Sequence, residues 1–256
     1  MSKQARNRTR EMRAAQAEAA RQAAARRRIF MWIGGVVILG LVAAIVWAVV
    51  QAVGGEDEPR STGSGELVVP ANVEDEVSVP VGSDDAPVTV SIYFDYMCPA
   101  CGAFEEANSA ELDRMIEDEE ALVELRPISF LDRTSQGTEF STRAANALAT
   151  VTAESPEHAW AFHQGMFADQ PQEGSGGLND GQIAEIAREA GVPDEVTDMF
   201  EDRTYEPWVV QATETAFDSG VEGTPTILID GETFTGDPYT TGPLSEAVRA
   251  AADAEQ

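Results

Sequence analysis

Cys98 and Cys101 are the only two cysteines in the 256-residue chain, and Pro99 and Ala100 alone separate them. At that spacing a small disulfide closes readily when the segment begins a helix, and the chemistry such a pair performs is thiol–disulfide exchange. A secreted scaffold held by disulfides would need more cysteines at wider spacing. Zinc ribbons and iron–sulfur sites share the C-x-x-C pattern, but a closed zinc site needs two further ligands. His158 and His163 are the only histidines, and their placement suggests no such set. The reading is therefore redox chemistry with no metal and no organic cofactor. A permanently closed disulfide that merely pins a helix is the alternative left open by spacing alone.

Position within the chain sharpens that reading. Pro99 suits the first position of a helix, where a missing N–H costs nothing, and this makes Cys98 the N-cap. A helix N-terminus favours an anion, so the Cys98 thiolate is expected to be stabilised and reactive. Cys101, one turn further on, is expected to be more buried and to act as the resolving thiol. Asp95, three residues before Cys98, is a candidate proton relay with a pKa raised by burial. Its side chain can equally cap the turn or the helix start, and that reading is preferred. Tyr93, Tyr96 and Phe104 are candidates for an apolar rim around the site, with core packing the simpler use of Phe104. His158 and His163 stand five apart on an expected helix and so do not share a face. They are read as helix packing or surface residues, and Trp160 and Phe162 as core of that helical segment.

The elements that must hold these residues follow from pattern. Val88, Val90, Ile92 and Phe94 alternate with Thr89, Ser91 and Tyr93, which predicts a strand leading into the cysteines. The helix after them carries Phe104, Ala107, Leu112, Met115 and Ile116 on one face. A second strand is expected over 122–130. Residues 138–203 read as helical, broken by a loop at 170–177 and by 191–193. Another helix over about 208–218 leads to Gly223-Thr224-Pro225. Strands over 226–230 and 232–235 are joined by a turn at Asp230-Gly231, and a helix over 243–252 follows. The order β-α-β, helical block, α-β-β-α predicts an α/β sheet fold with a helical insertion at about 136–205.

Charge divides the chain. Residues 1–28 hold nine of the 17 Lys and Arg and only two acids, whereas the other eight Arg face 43 Asp or Glu further on. A body that acidic repels nucleic acid, so no nucleic-acid partner is expected. Residues 29–50 are 22 consecutive uncharged residues, about 33 Å of helix and enough to cross a bilayer core. Trp32 and Trp47 sit near the two ends, and Arg26, Arg27 and Arg28 directly precede the segment. The positive-inside rule then predicts a single-pass cell-membrane anchor with the N-terminus cytoplasmic and the redox domain extracytoplasmic. A cleaved signal peptide is the competing reading, but its apolar core would be shorter and its basic stretch briefer. The expected organisation is a basic cytoplasmic segment (1–28) and a transmembrane helix (29–53). An acidic Gly/Ser-rich linker with a short extended stretch (54–80, the stretch at about 68–81) then leads to the folded domain (81–256).

Asp85-Ala86-Pro87, FDYMCPAC at 94–101 and GTPT at 223–226 together resemble the DsbA-like thiol–disulfide oxidoreductases of bacterial cell envelopes. The segments AWAFHQGMFADQP (159–171) and GGLNDGQIAEIAREAG (176–191) are similar to that family's inserted helices. The resemblance covers about residues 80–253 and implies a thioredoxin-like fold interrupted by a helical domain. It implies that Cys98 is the attacking cysteine and Cys101 its resolving partner. It further implies that Pro225 is a cis-proline facing them, with Thr224 offering backbone groups to an extended substrate; X–Pro is the bond type at which cis is accessible. Implied partners are cysteine-containing translocated proteins and a quinone-linked membrane partner that recycles the pair. One departure stands out: strong oxidants of the family carry a His between the cysteines, where this chain has Ala100. The expectation is thus disulfide formation, with reductase or isomerase activity, or a non-catalytic anchored module with a fixed disulfide, as alternatives.

Overall fold

The computed structural model describes residues 65–254. The anchor expected over 29–53 lies outside them, and among the described residues no helix is long and apolar enough to cross a membrane.

Five strands form one sheet: β1 (Val79–Val81), β2 (Thr89–Phe94), β3 (Leu122–Pro127), β4 (Thr226–Ile229) and β5 (Glu232–Thr233), in the order β1-β3-β2-β4-β5. The central strand β2 runs parallel to β3, with Val90 opposite Val123 and Phe94 opposite Pro127. It is antiparallel to β4, with Ile92 opposite Ile227. A parallel neighbour requires a crossover, and helix α1 (Pro99–Glu117) supplies it. Past β3 the chain leaves the sheet for α2 (Phe140–Glu154), α3 (Ala159–Ala168), α4 (Asp180–Glu189) and the single turn α5 (Asp194–Thr197). It returns through α6 (Glu206–Asp218), β4 and β5, and α7 (Pro243–Ala254) follows.

Both faces of β2 are covered. Val90, Ile92 and Phe94 pack into the main core with Phe104, Leu112 and Met115 of α1 and with Leu244 and Val248 of α7. Tyr93, on the alternate face, joins Ile128, Val221 and Ala216 of α6 in a second cluster. The alternation that marks β2 as a strand therefore separates two buried layers and not core from solvent. Ser91 tolerates this burial because its hydroxyl donates to Glu124 of β3, itself bound by Arg126 at 2.9 Å.

Local chemistry explains the boundaries. Pro127 closes β3 short of the 122–130 expected, and the chain turns there toward a 3-10 turn at Asp132–Thr134. The helical block breaks once more than expected, at Ser155, because Pro156 cannot supply the N–H that would continue α2. Only β1 of the extended stretch at 68–81 is a strand, paired antiparallel with β3. Asn179 and Gln182 form a reciprocal capping box that starts α4. Asp230 and Gly231 both take positive φ (49° and 81°), the two-residue turn that matches the twist of the β4–β5 hairpin.

Candidate active site

β2 ends at Phe94, and four residues later Cys98 caps α1 in extended conformation with Pro99 in the first turn. The turn is held from within by the Cys98 N–H donating to the Asp95 carbonyl at 2.9 Å. Asp95 holds it from the side. One carboxyl oxygen accepts from the Met97 N–H (2.8 Å) and the Ser141 hydroxyl (2.7 Å), and the other from the Leu131 N–H (2.8 Å). Burial raises its pKa to about 7 against those three hydrogen bonds, and the charge of Asp132 adds to the rise. Neither cysteine sulfur is among these partners, so the side chain is placed to brace the turn, and α2 supplies one of its three donors.

The two sulfurs occupy different environments. Both cysteines are free thiols, and Cys98 keeps 8% of its surface exposed against 1% for Cys101. The Cys98 thiol is lowered to about pKa 6, chiefly by the Cys101 thiol donating to it. The Thr224 side chain and the N–H groups of Cys101 and Ala100 add to this, while burial opposes it. Burial pushes the Cys101 thiol well above the ordinary range, and its contact and charge coupling with Cys98 act the same way. One thiol is thus set to ionise and the other to stay protonated. Ala100 contributes its backbone N–H and packs its methyl against the core.

From 126 residues away, the loop before β4 closes over the pair. The Thr224–Pro225 peptide is cis, and the Cys98 thiol donates to the Thr224 carbonyl at 3.4 Å. Thr226 returns its hydroxyl to the Gly223 carbonyl at 2.7 Å, tying the loop to itself. Cys98, Cys101, Thr224 and Pro225 are thereby brought to one place, whereas Asp95 sits beneath them.

Sequence reasoning missed the layer behind the sulfurs. His163 of α3 is fully buried, with Nε2 3.0 Å from Glu105 Oε1 and Nδ1 3.2 Å from the Tyr96 hydroxyl. The ring thus pairs through Nε2 with the Glu105 carboxyl and through Nδ1 with the Tyr96 hydroxyl, so both of its polar atoms are satisfied. Phe94, Tyr96 and Phe167 surround the imidazole, and Trp160 stacks on it with its N–H on Asp113. A signal was present: 159, 162, 163, 166 and 167 follow the i, i+3, i+4, i+7, i+8 stripe of a buried helix face, and Glu105 falls on the matching stripe of α1. Tyr93, Tyr96 and Phe104 are all buried and form no rim. Gln170, just past α3, donates from Nε2 to the carbonyls of Tyr96 (3.1 Å) and Cys98 (2.8 Å). Among the described residues no group of three or more His, Cys, Asp or Glu is arranged to hold a metal ion.

A family model described as Thioredoxin matches residues 74–249. The serine/threonine-protein kinase PknE of Mycobacterium tuberculosis is 31% identical over 115 residues, 43% of this chain and 20% of the kinase. The chain thus spans about a fifth of that relative's length. Disulfide bond formation protein D of Bacillus subtilis is 26% identical over 152 residues, 59% of this chain and 66% of that protein. Among solved structures, reduced DsbA from Mycobacterium tuberculosis superposes with a TM-score of 0.57 at 25% identity, covering 70% of this chain and 99% of that one. MdbA of Actinomyces oris, a thiol-disulfide oxidoreductase, shares the fold with a TM-score of 0.60 at 23% identity over 75% and 96% of the two chains.

Proposed function

Because the chain belongs to the thioredoxin family, whose pattern spans residues 74–249, we propose that it is a thiol–disulfide oxidoreductase forming disulfides in translocated proteins. The observation that carries this reading is the placement of two free thiols: Cys98 at the mouth of α1 beside the Thr224 carbonyl, Cys101 buried one turn in, a setting that lowers the first and raises the second.

Oxidation of a client proceeds in two exchanges. A client thiolate attacks Cys98 Sγ of the Cys98–Cys101 disulfide; a client–Cys98 bond forms, and the electron pair of the broken bond leaves on Cys101 Sγ. That sulfur takes up a proton, as its raised pKa favours. A second client thiolate then attacks the client sulfur of the mixed disulfide, forming the client's own bond and expelling Cys98 as the thiolate. A thiol of low pKa is a good leaving group, and its stabilisation in the dithiol form makes the pair oxidising. Two electrons pass from client to enzyme in each cycle, and re-oxidation needs an external two-electron acceptor, which the proposal assigns to a quinone-linked membrane partner. Thr224 and Pro225, beside Cys98, would present backbone groups to the extended client segment.

The uncharged run at 29–50 behind Arg26, Arg27 and Arg28 supports an anchored form with the redox domain extracytoplasmic. Replacing Cys101 by Ser removes the resolving thiol. Given a reduced, unfolded, cysteine-bearing protein and an oxidant, that variant should accumulate a mixed disulfide through Cys98 that dithiothreitol releases. A Cys101→Ser variant that captures no client would contradict the exchange mechanism.

A further inference from the structure

The exchange site is not built by the sheet and α1 alone. Gln170 leaves α3 where its own N–H closes onto the Phe167 carbonyl at 3.3 Å, and Phe167 packs against Tyr96 with ring centroids 5.1 Å apart. The side chain is therefore delivered from an anchored turn of the helical insertion. Its amide nitrogen has two hydrogens, and the two carbonyls it meets belong to Tyr96 and Cys98, residues that flank the turn carrying the reactive sulfur. The Cys98 carbonyl is also the acceptor for the N–H groups of Cys101 (3.0 Å) and Gly102 (3.2 Å), so Gln170 is its third donor. On the other side, Gly102 makes room for the amide. A Cβ there would collide with Gln170 Oε1 and stand 3.1 Å from its Cδ and 3.5 Å from its Nε2, so its three nearest neighbours all belong to that amide.

We infer that Gln170 is a positioning residue for the exchange reaction: its amide pins the Tyr96 and Cys98 carbonyls and so holds Cys98 Sγ on the N–H groups of Ala100 and Cys101. The inference rests on the exchange function proposed above and identifies which part of the helical insertion tunes it. A thiolate gains from N–H groups only while they stay aimed at it, and the Gln170 clamp fixes the turn that aims them. The clamp also places donor hydrogens on two carbonyl oxygens close to the sulfur, offsetting negative partial charge that would otherwise disfavour the anion. Gly102 belongs to the same device, because its missing Cβ is what lets the amide lie against the first turn of α1.

Two independent substitutions break this one contact. Gln170→Met keeps the length of the side chain and removes its donor. Gly102→Ala leaves Gln170 in the sequence and displaces its amide, while Ala is the better helix former of the two. Wild type, both single variants and the double variant, as full-length chains, would be compared by the pH dependence of Cys98 alkylation and by redox equilibration with glutathione. Each single variant should raise the Cys98 pKa by roughly half to one unit, about a three- to tenfold loss in ionisation constant. In glutathione at pH 7 the disulfide form should become about three- to fivefold more favoured. The double variant should match the singles, since the contact is lost only once. Thermal stability of Gly102→Ala should hold or rise while its thiol titration moves, a combination that a merely structural role does not produce. A Gln170→Met titration superposable on wild type, or a double variant showing the sum of two separate shifts, would overturn the inference. A wild-type pair inert to glutathione would instead overturn the proposed function, and the alkylation profiles would still decide the part played by Gln170.

Discussion

A carboxyl at Asp95 and a thiol at Cys98, three residues apart, are both pushed upward by burial, yet they end on opposite sides of their ordinary values. Cys98 finds donors for its anion in Cys101, Thr224 and two backbone N–H groups, and these outweigh desolvation. Asp95 has three donors too, yet its complete enclosure wins and its pKa rises to about 7. The consequence for stability has a definite sign. With a folded pKa above the unfolded value near 4, the folded state holds its proton more tightly. Asp95 therefore costs nothing below about pH 4, costs progressively more as pH rises to about 7, and levels off above, at roughly 4 kcal/mol. Asp95→Asn should abolish that slope at a constant cost of about 1–2 kcal/mol for an acceptor that no longer serves its donors. Urea unfolding of both proteins at pH 4.5 and 7.5 measures it. An Asp95→Asn variant that loses stability over this range as steeply as wild type would show that another group is responsible.

At the scale of elements, α1 and α3 meet through polar groups where apolar ones would be expected. Glu105, His163 and Tyr96 form a buried chain whose members come from α1, α3 and the active-site turn. Replacing His163 by Phe suits the surrounding rings in shape but leaves the buried Glu105 carboxyl with Ser109 as its remaining side-chain partner, at a cost of about 2–3 kcal/mol. Adding Glu105→Leu should recover much of that loss; denaturant midpoints of the single and double variants test the coupling, and a single variant as stable as wild type would refute it. These elements also show what can be read without coordinates. The strand before the cysteines, Pro99 at the helix start and the Thr224–Pro225 loop were legible because each has a local signature. The pairing of the polar members of the two helix stripes was not, since His163 reads as either packing or surface, and Glu105 as an ordinary surface acid, until the facing stripe is known. Gln170 could not be found from local pattern at all: its partners lie 74 and 72 residues away, and only the packing of α3 against the active-site turn brings them together.

For the molecule as a whole, the sheet supplies a rigid base, α1 and the Thr224–Pro225 loop supply the site, and the helical insertion stabilises it from behind through Ser141, His163 and Gln170. Ala100 leaves the chain without the histidine that its DsbA-like resemblance associates with strong oxidants. The Cys101 thiol, Thr224 and the backbone N–H groups still bring Cys98 to about 6. That value falls between the thiols of thioredoxin and of the strongest envelope oxidants, about 7 and about 3.5, and the potential should fall between theirs as well. The most direct test is the glutathione redox equilibrium of the full-length chain at pH 7. The reduction potential should lie at about −200 mV, between the roughly −270 mV of thioredoxin and the roughly −120 mV of the strongest oxidants. A value at or below about −270 mV, or a disulfide that glutathione does not touch, would contradict it.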